Sequence, residues 1–171
     1  MCIRDRFGAL EFSEKAAKAG IQPIIGCQLD VDFQDGEADS ARDKESATAP
    51  LVLIAMDDSG YENLVEIVSM AYLRHEGDQR PHVLADWISE KAGGIICLTG
   101  GPLGPIGTAL AAGRMVVARQ RLEVLRAAFG DRLYVELQRH GTRGRRTEPQ
   151  MLDLAYEMGL PLVATNEPFF F

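Results

Sequence analysis

The sequence predicts an α/β fold in which parallel strands alternate with helices. Two patterns lead there. Short apolar runs of strand length recur near residues 23–26, 51–55, 95–98, 133–137 and 161–165. Runs that are apolar throughout suit strands covered on both faces, as in parallel sheets. Between them lie stretches with apolar residues at helical spacing, several closed by a glycine, as expected of crossover helices.

Taken in order, residues 7–19 read as a helix, because Phe7, Leu10, Ala16 and Ala17 recur at helical spacing and Gly20 suits the position just past its end. Pro23-Ile24-Ile25 begins a strand that resumes with alternation at residues 29–33. Residues 34–49 are acidic, small and polar and read as a surface loop, followed by the continuous apolar strand 51–55. Asp58 or Ser59 is placed to cap a helix whose inward stripe is Leu64, Ile67, Val68 and Ala71. Residues 75–81 read as a polar loop and 83–92 as a short helix with Trp87 and Ile88 inward. After the buried strand 95–98 comes a turn rich in Gly and Pro at 100–107, then a strong helix at 115–129 ending at Gly130. The strand 133–137, a helix at 148–158 ending at Gly159, and a last strand from Leu160 complete the pattern. No composition break or internal repeat divides the chain.

At 171 residues the chain is long enough for one domain with its own core. No run of about 18 uncharged apolar residues offers a membrane span, and Arg4, Asp5 and Arg6 near the start do not resemble a secretory signal. Cys2, Cys27 and Cys97 lack CxxC spacing and read as reduced thiols of a cytoplasmic protein. A net charge of -7 argues against gripping DNA by bulk electrostatics.

In parallel α/β folds chemistry gathers beyond the C-terminal ends of strands. Those positions are Gln28, Asp57, Thr99-Gly100-Gly101, Gln138-Arg139-His140 and Thr165-Asn166-Glu167. Of these only His140, Asp57 and Glu167 are good ligands or acid/base groups, a thin set for a two-metal phosphoesterase, which needs a dense cluster of His, Asp and Glu. From spacing alone His140 reads as a loop histidine and Asp57 as a turn or cap residue. His75 and His82 have no ligand at HxxxH spacing and read as surface loop residues. The turn at residues 99–107 matches neither GxGxxG nor a P-loop, and its prolines remove N–H donors, so it reads as structural. No GxSxG elbow is present. Arg139, Arg143, Arg145 and Arg146 form a basic cluster that reads as a solvated loop.

Five segments in unbroken order resemble one family. Phe7-Gly8-Ala9-Leu10-Glu11-Phe12 with Lys18-Ala19-Gly20-Ile21-Gln22-Pro23-Ile24-Ile25-Gly26 is the first. Gly60-Tyr61-Glu62-Asn63-Leu64 resembles its "GYRNL", and residues 94–101 resemble its "GLIALSGC". Residues 130–141 resemble "GDRFYLELQDHG", and residues 159–166 resemble "GIPLVATN". The family is the PHP domain of bacterial DNA polymerase III alpha subunits. The resemblance implies a distorted β/α barrel, here partial, spanning residues 7–171 and lacking its first strand and C-terminal part. Residues 1–6 do not resemble the family and are read as a foreign segment, which resequencing the locus would test.

By the same resemblance a metal site is expected at the strand ends, and this chain departs from it. The HxH of the first strand is absent, Gln28 replaces the glutamate of "GCE", Pro50 a histidine, Gly101 the cysteine of "LSGC", and Phe169 the histidine two residues past Glu167. His140, Glu167 and Gln28 are vestigial positions, and no metal, cofactor or catalytic residue is expected in the chain. The implied function is a non-catalytic, structural and partner-docking part of a replicative polymerase. The implied partners are the rest of the alpha chain, the proofreading exonuclease subunit, and DNA through the parent protein, whose polymerase domain would use Mg2+. The alternative is a metal-dependent phosphoesterase or 3'-5' exonuclease, which the ligand losses oppose.

Overall fold

The computed structural model describes residues 9–35, 48–74, 81–139 and 143–166. In chain order the elements are α1 (Ala9–Lys18), β1 (Gly26–Asp32), β2 (Ala49–Ala55), α2 (Asp58–Leu73), β3 (His82–Leu84), α3 (Ala85–Glu90) and β4 (Ile95–Leu98). A 3-10 turn at Gly101–Leu103 leads into α4 (Pro105–Ala111), followed by α5 (Met115–Phe129), β5 (Leu133–Leu137), α6 (Arg143–Glu157) and β6 (Leu162–Ala164). Among the described residues six strands form one open sheet in the order β3-β1-β2-β4-β5-β6. This is the expected α/β class, a mostly parallel sheet consistent with part of a distorted β/α barrel.

The expectation of parallel strands throughout needs one correction. β1 pairs parallel with β3, β4 with β5, and β5 with β6. β2 runs antiparallel to both its neighbours, with Gly26 opposite Ile54 and Leu53 opposite Cys97. The apolar run Leu51–Ala55 identifies a buried strand but carries no information on direction, because alternation reads the same both ways.

One face of the sheet makes the core. Cys27, Leu29 and Val31 of β1, Leu51 and Leu53 of β2, Ile95 and Cys97 of β4, and Leu133 and Val135 of β5 are all buried there. Leu64, Ile67 and Ala71 of α2 and Leu122, Leu125 and Phe129 of α5 pack into the same cluster, so the stripe expected for α2 does face inward. The opposite face, with Gln28, Val52, Ile54, Ile96, Tyr134 and Val163, stays half-buried.

Four local readings change. Pro23, Ile24 and Ile25 lie outside the strand, which begins only at Gly26. Residues 82–84 are strand rather than helix, and α3 begins only at Ala85. The Gly/Pro run contains a helix, α4, which starts with Pro105 in its first turn, where the missing N–H costs nothing. The last helix begins at Arg143 rather than 148 and carries Pro149 inside it. A proline looks like a first-turn residue from sequence, but here the helix continues past the one hydrogen bond it forfeits.

Two contacts lock the helices to the sheet. Asp57 caps α2 by accepting from the Gly60 N–H at 2.8 Å. Gly60 in turn lies so close to Gly94 that a Cβ on it would sit 1.8 Å from the Gly94 carbonyl oxygen. Asn63 donates to the Gly93 carbonyl at 2.9 Å, so the Gly60-Tyr61-Glu62-Asn63 segment is shaped to fit the turn before β4. Elsewhere Arg121 of α5, 8% exposed, makes a two-pronged ion pair with Asp35 at 2.7 Å and donates to the Pro105 carbonyl at 2.9 Å. Its guanidinium also stacks 5.3 Å from the Phe33 ring. The residues just after β1 are thereby tied to both α4 and α5.

Gly60→Ala is therefore expected to cost stability on the scale of core overpacking, about 1–3 kcal/mol or more, because backbone and not a flexible side chain occupies the space. Thermal unfolding of the variant should show a clear drop, and an unchanged midpoint would contradict the contact. The Asp35–Arg121 pair makes a pH prediction. The guanidinium holds the Asp35 carboxyl below its ordinary value. A depressed acid adds stability that is complete above the ordinary carboxylate range and fades as pH falls through the lowered pKa. Asp35→Asn should cost about 1–2 kcal/mol near neutrality, less than an enclosed pair because Asp35 is partly open to solvent. The gap between the two proteins should shrink in acid, as denaturant titrations at several pH values would show.

Candidate functional site

Because β2 is reversed, the C-terminal ends of β1, β4, β5 and β6 share one edge of the sheet with the start of β2. At that edge a buried polar cluster forms from three connections. Glu136, in the last turn of pleat of β5, is 2% exposed. One of its carboxylate oxygens accepts from the Gly100 N–H at 2.9 Å, and its own N–H donates to the Thr99 hydroxyl at 2.9 Å. The other oxygen accepts from Gln138 Nε2 at 3.0 Å and from the Thr165 hydroxyl. Gln138 Nε2 also reaches the Thr165 hydroxyl at 3.4 Å. A single carboxylate thus ties together the exits of β4, β5 and β6.

The glycines after β4 are demanded by this packing. Gly100 has a φ of +75°, and a Cβ there would lie 2.0 Å from the Pro50 carbonyl oxygen. Gly101 has a φ of +57°, and a Cβ there would lie 2.8 Å from Gln138 Cδ. The Gln138 side chain fills the space beside Gly101, and its Oε1 is buried without a hydrogen-bond partner. A small cleft beside it is lined by Pro102, Glu136, Leu137, Gln138, Glu148 and Met151, among others. Glu148 accepts both prongs of Arg139, at 2.7 and 3.2 Å, while the arginine side chain stays largely open to solvent, as a loop residue would.

The sequence candidates fare unevenly. Thr99, Gly100, Gly101, Gln138 and Thr165 do converge at this edge. Gln28 lies in the same strand-end half of the sheet but sits within β1, half-buried and opposite Val52. Asp57 does not belong with them: the reversal of β2 carries it to the opposite edge, where it caps α2. His82 lies in β3 opposite Asp30, not in a loop. His140 and Glu167 lie outside the described residues, as do His75, residues 1–6 and the side chains of Arg143 and Arg145. Glu136 was not singled out from sequence. Its one signal is a carboxylate inside the apolar run Leu133-Tyr134-Val135-Glu136-Leu137, on the pleat face opposite Leu133 and Val135.

Chemically the cluster is a network of hydrogen bonds in which Gln138 Oε1 alone of the described buried side-chain atoms has no partner. Both Glu136 oxygens are engaged, and the groups around them are an amide and hydroxyls. Among the described residues no three His, Cys, Asp or Glu side chains gather to hold a metal. Cys97, one strand away, is fully buried, and burial first, with the Glu136 charge second, pushes its thiol well above the ordinary value.

Comparison with known proteins adds family context. The PHP domain family matches residues 1–140. The chain is 41% identical over 167 residues to DNA polymerase III subunit alpha of Caulobacter vibrioides, covering 96% of this chain and 14% of that protein. It is 36% identical over 165 residues to the subunit of Thermus aquaticus, covering 94% of this chain and 13% of that protein. To the Escherichia coli subunit it is 33% identical over 164 residues, with 94% and 13% covered. It thus spans about 14% of the length of the curated relatives it matches.

Glu136→Ala removes both acceptor oxygens and leaves the buried Gly100 N–H without its acceptor. Leaving a buried group unsatisfied costs about 1–3 kcal/mol, and the loss should appear in denaturant unfolding. If the variant unfolded at the wild-type midpoint, Glu136 would not be the tie between the strands.

Proposed function

The chain belongs to the PHP domain family, and from that premise we propose that it is part of the PHP domain of a DNA polymerase III alpha subunit, with a structural and partner-docking role in DNA replication rather than a catalytic one. Similarity to such subunits along 94–99% of the chain supports the parentage. The observation that carries the non-catalytic reading is the use of the buried Glu136 carboxylate as a tie between strand exits, where it accepts from Gly100, Gln138 and Thr165. The neutral Gln28 and the absence of a side chain at Gly101 point the same way.

In this reading residues 7–171 are the PHP portion and residues 1–6 are foreign to it. His140 and Glu167 are remnants of a metal site, and the chain needs no cofactor; Mg2+ serves the parent's polymerase domain. Its partners are the remainder of the alpha chain, the proofreading exonuclease subunit and, through the parent, DNA. No described helix is long and apolar enough to cross a membrane, and a cytoplasmic place follows from the proposed parentage.

Two measurements test the proposal. Elemental analysis of the purified full-length subunit should find no stoichiometric Zn2+ or Mn2+ in the PHP domain; two or three such ions per chain would restore the phosphoesterase or exonuclease reading. The second concerns context. The outermost strands of the described sheet, β3 and β6, are three residues long, and apolar side chains such as Leu10, Ile21 and Ile24 are 75%, 63% and 61% exposed. Such surfaces attract other chains. The 171-residue chain alone should melt at lower temperature and scatter more light than the same residues inside the full subunit. A monomer with an equally high cooperative transition would contradict the view that this is part of a larger domain.

A further inference from the structure

We draw no further inference here: the strongest candidate, the half-buried sheet face formed by Val52, Ile54, Ile96, Tyr134 and Val163, is an unpartnered apolar surface, and nothing in the structure shows what covers it.

Discussion

A carboxylate at 2% exposure is tolerable only if its oxygens are bonded, since an unpaired buried charge costs several kcal/mol. Glu136 meets that requirement with neutral donors alone: one backbone N–H, one amide and one hydroxyl, each from a different strand exit. The consequence is positional. The N–H of Gly100 reaches the carboxylate only if the chain turns sharply after Leu98, and that turn takes left-handed backbone at two successive residues. Gly100 and Gly101 supply it. The turn then delivers the chain into the 3-10 segment and α4, whose packing on α5 and α6 closes the core on that side. One charged side chain thus sets how three strands end and where the next helices begin.

The same logic of close backbone approach explains the opposite edge. Gly60 and Gly94 touch, Asp57 bonds the Gly60 N–H, and the Met56 N–H donates to the Gly94 carbonyl at 2.9 Å. A side chain at either glycine would push α2 away from the sheet and uncover Leu64 and Ile67. At both edges the motif residues that look like family signatures are therefore the ones whose smallness or hydrogen bonds position helices on strands.

Much of this fold was legible because hydrophobic periodicity is a local signal. Strands β4 and β5 and helix α5 stand where the apolar runs put them, and Gly130 ends α5 as its spacing suggests. What escaped was whatever depends on partners. The direction of β2 is set by its neighbours and not by its own residues. β3 is three residues long, too short for alternation to show, and its ladder partner is β1, far away in sequence. α4 is hidden because Gly104, Pro105 and Gly107 look like turn residues, yet Gly107 is small in order to lie against the Gly101 carbonyl, where a Cβ would come within 2.5 Å. The site was legible in part. The strand-end rule found Thr99, Gly101, Gln138 and Thr165, but it misplaced Asp57 once β2 turned round. It passed over Glu136, which lies inside a strand rather than beyond it.

That omission bears on what this edge can do. In an α/β fold the strand ends are open to chemistry when their polar groups point at a ligand and keep lone pairs for it. Here they point at each other. Releasing Glu136 to hold a cation would withdraw an acceptor from Gly100, Gln138 and Thr165 together and loosen the exits of β4, β5 and β6. Gln138 would have to leave the space beside Gly101, where its methylene and amide atoms now stand in place of a side chain on that residue. The observed hydrogen bonds use both Glu136 oxygens to hold the strands.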